Sequence, residues 1–171
     1  MTVVASTWSW GRWFWPALVG SLLADLVSKW AVHAALIRHW DHPSWITWAY
    51  NPGVAFSLFA GHPEYVTVLT LVLIPVLAAV WWRGPRREGR WQNLAFGLIL
   101  GGALGNAVDR VWAQVGQLAG VRDFISVDLG FWPFNPWPTF NLGDSAICIG
   151  FVLLVVLSFQ SQPRPSAATA P

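Results

Sequence analysis

Charge is scarce in this chain: Asp, Glu, Lys and Arg together make up 11% of its 171 residues. With 55% hydrophobic residues, a water-soluble domain would lack the polar surface to cover its core, which excludes an ordinary soluble fold. Cysteine is nearly missing too. The single Cys148 lies in an apolar run, so it can form neither an intrachain disulfide nor a cysteine-based zinc site, and its plain reading is a small buried hydrophobe. The histidines His33, His39, His42 and His62 are scattered without an HExxH spacing, so no metal and no cofactor is expected. The formal charge of +2 is small, and the basic residues stand beside apolar segments rather than along a polar face, which excludes nucleic acid as a partner.

What the chain has in abundance is tryptophan, 14 residues against 2 tyrosines, with several near the ends of apolar runs. Such rings favour a membrane interface, where an apolar body and an N–H donor are both accommodated. Four stretches are long and apolar enough to cross a bilayer: roughly Phe14 to Ile37, Tyr65 to Trp82, Trp91 to Trp112, and Thr139 to Phe159. The second carries no charge and only Pro75 as a possible kink, which membrane helices tolerate. Arg12 ahead of the first superficially resembles a secretory signal. That stretch runs too long and lacks a small-residue cleavage site, so a retained helix is expected.

Arg83, Arg86, Arg87 and Arg90 crowd the short loop between the second and third segments, which the positive-inside rule assigns to the cytoplasm. Both termini, with Arg12 and Arg164, then lie on that side, and the long connections, about 38–64 and 113–138, lie outside. This divides the chain into a cytoplasmic N-terminus (1–13), a membrane domain (14–159) and a Pro-, Ser- and Ala-rich tail (160–171) expected to be disordered. Gly97, Gly101 and Gly105 in the third segment repeat a small-xxx-small spacing, a face on which another helix can approach closely.

Ionisable groups within a membrane helix cost at least about 2.5–3.5 kcal/mol each on insertion scales, so each is a functional candidate. By helical rise, Asp25 and Lys29 lie about 16 and 22 Å from the cytoplasmic end, and Asn106, Asp109 and Arg110 about 22–28 Å. Asn141 and Asp144 begin the fourth helix from outside. Polar groups from three helices therefore meet at one depth, in the outer leaflet. Each local pattern also has a plainer reading. Asp25 and Lys29, at i and i+4, suit an intrahelical ion pair, and Arg110 could snorkel beside a packing Asn106. Asn51, Pro52 and Gly53 could form only a turn. Asp123 could be an exposed loop residue, and Asp144 a first-turn or capping residue.

Taken in order, Asp25 with Lys29, then NPGVAFS, GGALGNAVDR, VRDFI and FNLGDSAI resemble the signal peptidase II family, the lipoprotein signal peptidases, over about residues 14 to 159. The resemblance implies an all-α integral membrane protein of four transmembrane helices, with a small extracytoplasmic β-structure and a short extracytoplasmic helix over the site. It places the family's catalytic aspartate pair on Asp123 and Asp144, making Asp109 a tempting wrong choice. Supporting or substrate-facing positions fall on Asn51, Gly53, Asn106, Arg110 and Asn141, with Asp25 and Lys29 more peripheral and Asp109 a support on which its neighbours Asn106 and Arg110 depend for orientation. The implied activity is aspartic endopeptidase cleavage of diacylglyceryl-modified prolipoproteins before the lipidated cysteine, without a cofactor, in the bacterial cytoplasmic (inner) membrane. Membrane lipids and a cyclic peptide inhibitor of the globomycin type are the other expected partners, and a monomer is the expected state. Two departures stand out: Gly143 where the family usually has Ala, and a Trp- and Pro-rich run, Phe131 to Pro138.

Two other classes compete. A small transporter would use the intramembrane charges as an ion path, but the polar cluster lies only toward one side and the second segment is apolar throughout. A metal-dependent membrane hydrolase would need a ligand set that the scattered histidines do not supply.

Overall fold

A computed structural model describes residues 11–39, 41–53, 58–87, 89–131 and 137–160. Of the tail 160–171 predicted to be disordered, Gln160 ends a helix and the rest lies outside them, as do most of 1–13 and parts of both long connections. Four helices are long and apolar enough to cross a membrane: α1 (Phe14–Ile37), α2 (Pro63–Arg83), α3 (Arg90–Gln114) and α4 (Leu142–Gln160). A short 3-10 turn, Pro85–Arg87, joins α2 to α3. The short helix expected in the long connections is absent among the described residues, and 54–57 and 132–136 are not among them.

Helix ends follow local chemistry. Pro63 sits in the first turn of α2, where its missing N–H costs no hydrogen bond. The fourth helix starts at Leu142, later than Thr139, because Phe140 is held in a bridge to Ile125 and Asn141 caps the helix.

α3 is the central element. Its apolar stretch is 61% buried, against 11–17% for the other three helices, whose outer faces are left for lipid. The glycine spacing explains how. A Cβ on Gly101 would meet Ser21 Oγ and Leu18 O of α1, and one on Gly105 would meet the Asp25 carboxylate, so the predicted packing face is where α1 lies. Gly102, on the next face, touches the backbone of Gly143, bringing α4 equally close. At the end near the α2–α3 loop, Phe14 stacks on Trp81 with ring centroids 3.6 Å apart, over Phe96 and Leu100. Trp81 Nε1 donates to Asn93 Oδ1 at 2.8 Å, which satisfies the buried indole.

At the other end the two long connections meet. β1 (Ile46–Asn51) pairs antiparallel with β2 (Val121–Ile125), placing Ala49 opposite Asp123, Tyr50 opposite Arg122 and Asn51 opposite Val121. The sheet, the start of α4 and the arginine-rich loop therefore occupy opposite ends of the bundle.

Candidate active site

Asp123 lies within β2 and is 1% exposed, so the plain reading of a solvated loop aspartate fails. Strand alternation sends Asp123 to one face and Arg122 to the other. Asn51 and Asp123 are diagonal neighbours on the same face, and the Asn51 carboxamide hydrogen-bonds the Asp123 carboxylate.

Asp144 reaches the same place from the start of α4. Asn141 Oδ1 accepts the Asp144 N–H at 2.9 Å, while Asp144 Oδ2 accepts the Asn141 N–H at 3.1 Å. This reciprocal capping box satisfies two orphan donors and fixes the carboxylate at a helix N-terminus. The capping role and the site role are thus one arrangement.

Two asparagines connect the carboxylates. Asn106 Nδ2 donates to Asp144 Oδ1 at 2.8 Å, Asn141 Nδ2 donates to Asp123 Oδ1 at 2.7 Å, and Asn141 Nδ2 also reaches Asn106 Oδ1 at 3.1 Å. Burial, and after it the charge of Asp144, push the Asp123 carboxyl up to about 7. Hydrogen bonds from Asn141 and Asn51 and the Lys29 charge pull the other way without reversing the shift. A carboxyl that titrates near neutral pH beside a second carboxyl is an arrangement able to act as an acid–base pair.

Beneath the pair runs a ladder of alternating charge, of which Asp25, Lys29 and Asp109 are fully buried and Arg122 partly so. Lys29 Nζ lies 2.6 Å from Asp25 Oδ2, 3.2 Å from Asp109 Oδ2 and 2.9 Å from Asn106 Oδ1. Asp109 in turn accepts from Arg122 three times: Nη2 at 2.6 Å, Nε at 3.1 Å and the backbone N–H at 3.0 Å. Asp25 Oδ1 accepts the Gly143 N–H at 2.8 Å. Asp25 and Lys29 thus touch neither Asp123 nor Asp144 directly but are bonded to Gly143, Asn106 and Asp109, which flank them. Asp109 turns away from the cavity to neutralise Lys29 and Arg122. Arg122 is the residue that sequence reasoning missed; a buried Asp109 needing a partner, and a basic side chain alternating with Asp123, were the available signals.

Arg110, one turn from Asn106, donates from Nη2 to Gly53 O at 3.0 Å, and Gly53 N–H donates to Asn51 Oδ1 at 3.0 Å. The NPG turn is thereby tied to α3. The cavity in front of the carboxylates has about 860 Å³. Asn51, Asn106, Arg110, Asp123 and Asp144 form its polar end, and Leu73 and Leu77 of α2 face Ile147 and Ile149 of α4 along its apolar walls. Cys148, expected to be buried, is instead exposed on this wall, because α2 and α4 stand apart there. At Gly143, a Cβ would lie 3.0 Å from Gly102 O and 3.1 Å from Asp25 Cγ, so the departure from Ala accompanies a tight α3–α4 approach.

Comparison with known proteins agrees with this architecture. The chain is 42% identical over 116 residues to a lipoprotein signal peptidase of Mycobacterium leprae (strain Br4923), a match covering 66% of the chain and 53% of that protein. It is 43% identical over 116 residues to that of Mycobacterium tuberculosis (strain ATCC 25618 / H37Rv), covering 66% and 52%. The match thus spans about half the length of these mycobacterial relatives. A lipoprotein signal peptidase of Shewanella loihica (strain ATCC BAA-1088 / PV-4) is 33% identical over 162 residues, covering 91% of the chain and 90% of its own length. Among solved structures, a bacterial membrane enzyme shares the fold with a TM-score of 0.69 at 21% identity, covering 91% of this chain and 92% of its own. The family described as Signal peptidase (SPase) II, Peptidase_A8, matches residues 17–160, and with the four spanning helices this makes the chain a multi-pass membrane protein of the signal peptidase II family.

Proposed function

We propose that the chain is a membrane aspartic endopeptidase that removes signal peptides from diacylglyceryl-modified prolipoproteins, with Asp123 and Asp144 as the catalytic pair. The observation that carries this reading is the convergence of both carboxylates, from a strand and a helix start, at the polar end of a cavity whose remaining walls are apolar. A substrate anchored by acyl chains suits such a cavity. Its lipid stays in hydrocarbon between α2 and α4 while the peptide before the lipidated cysteine meets the carboxylates.

In the proposed step, the ionised carboxylate takes a proton from a water, which attacks the scissile carbonyl carbon. The protonated carboxyl donates to the developing oxyanion, the C–N bond then breaks, and the leaving amine takes up a proton. The proton is shared by a coupled pair, so base and acid are roles that the two aspartates exchange. Asn106 and Asn141 hold the carboxylates in register, and Arg110 and Asn51, which line the polar end of the cavity, would orient the substrate backbone. Family membership supports the same reading. A cyclic peptide of the globomycin type would compete for this cavity.

Asp→Asn removes the proton acceptor while keeping size and most hydrogen bonds. In purified protein free of the host's own peptidase, Asp123→Asn and Asp144→Asn should each abolish cleavage of a lipidated prolipoprotein while leaving a folded chain that still binds it. Their combination should be no worse than either alone, because residues that act as a unit are strongly nonadditive. Substantial turnover by either single variant would remove the aspartic mechanism.

A further inference from the structure

A second cavity, of about 510 Å³, runs from Ile74 and Leu104 in the middle of the bundle toward the end that carries the α2–α3 loop. α1 and α2 both lean on α3, and the gap between them is floored by Leu100 and Leu104 and walled by Leu18, Ile74 and Ala78. In a bilayer an apolar gap of this kind is not left empty, since unfilled space forfeits the dispersion contacts of its lining. From Ile74 up to Arg83 it runs about 13 Å along α2. That is a length suited to part of one acyl chain.

Its mouth is specific. Trp15, Trp82 and Arg83 surround it, with both indoles more than half exposed. The Arg86 guanidinium rests 3.8 Å above the Trp82 ring, and Arg86 Nε finds no hydrogen-bond partner among the described residues. Arg12 and Arg90 belong to the same end of the bundle. No described residue of 11–18, 78–100 or 154–160 is a carboxylate, and Glu88 lies outside the described residues. The positive charge at this mouth therefore has no acidic counterpart among the side chains described around it.

We infer that the α1–α2 groove binds one anionic phospholipid, with an acyl chain on Leu100 and Leu104 and its phosphate-bearing headgroup at Arg83 and Arg86. The groove meets the carboxylate cavity only at Ile74 of α2 and shares none of its polar residues, so the inference is independent of the proposed peptidase activity. Anionic headgroup and acyl chain are both required: the arginines select the charge and the groove holds the chain.

The test uses the full chain, delipidated in a neutral detergent and offered phosphatidylglycerol or phosphatidylcholine of equal chain length, with retained lipid read by native mass spectrometry. One phosphatidylglycerol per chain should be retained, with a preference over phosphatidylcholine of roughly tenfold or more, as two arginines near an anionic headgroup would give. Arg83→Gln combined with Arg86→Gln should reduce that preference to near unity. Ala79→Phe, an exposed α2 position on the groove wall, should weaken retention of both lipids while leaving the arginines in place. Glycerophosphoglycerol, the headgroup without chains, should not displace the bound lipid. Equal retention of the two lipids by the unaltered protein, undiminished preference in the double variant, or undiminished retention in Ala79→Phe would each overturn the proposal.

Discussion

Two carboxamides, Asn106 and Asn141, hold the Asp123 and Asp144 carboxylates, and the pH response of the site should follow from what surrounds Asp123. Its carboxyl is raised from 3.8 to about 7, so it keeps a proton through mildly acidic pH and loses it as pH rises through about 7. The profile of kcat/KM should therefore be bell-shaped with a basic limb near pH 7, and a flat profile up to pH 9 would contradict the assignment. The sign for stability is the same. Between about 4 and 7 the folded state holds a proton that the unfolded chain has released, so this residue's contribution to stability declines as pH climbs through that window. Asp109 acts differently. Asp109→Asn leaves Lys29 and Arg122 with excess buried positive charge and should cost about 3 kcal/mol or more in thermal or denaturant unfolding, whereas Asp128→Asn, exposed and bonded to the Gly130 N–H, should stay within about 0.5 kcal/mol. Arg122→Ala frees the strand bearing Asp123 and should lower kcat by roughly 10–100-fold with a smaller change in KM. Arg122→Lys should not restore it, since an ammonium cannot reproduce the guanidinium fork. Asp144 was readable from sequence as a first-turn residue. The burial of Asp123 was not, because it depends on pairing with a strand some 70 residues earlier in the chain.

Hydrophobic length made the helices legible, and glycine spacing made the crowded face of α3 legible. The sequence could not say which neighbour takes which face. Gly97, Gly101 and Gly105 receive α1, whereas Gly102, one residue out of that spacing, receives α4 at Gly143. The two close approaches bring Asp25 against Gly143 and set Asn106 between Lys29 and Asp144. Gly105→Ala puts a methyl into the Asp25 carboxylate and should destabilise by about 1–3 kcal/mol. Gly20→Ala makes the useful contrast: it lies in α1 with nothing near its Cβ, and should be neutral or stabilising by up to about 1 kcal/mol. Unfolding of both variants in one detergent checks the pair, and equal losses would mean that the α1–α3 approach is not what Gly105 provides.

For the whole molecule, the sheet and the arginine loop occupy opposite ends of the helices, so their positions should report opposite sides of the membrane. In a Cys148→Ser background, Arg86→Cys and Trp45→Cys should label from the cytoplasmic and outer sides respectively in intact cells. Labelling of both from one side would break the four-span topology. The apolar gap between α2 and α4 leads sideways from the carboxylates into the region lipid would occupy, and no linear reading could locate it because its walls come from separate helices. That geometry makes substrate lipidation the central claim. The direct measurement is cleavage, by purified and reconstituted protein, of a diacylglyceryl-modified prolipoprotein and its unlipidated counterpart at equal concentration. Cleavage of the lipidated form alone, before the modified cysteine, is the predicted result, and equal turnover of the two would contradict the account.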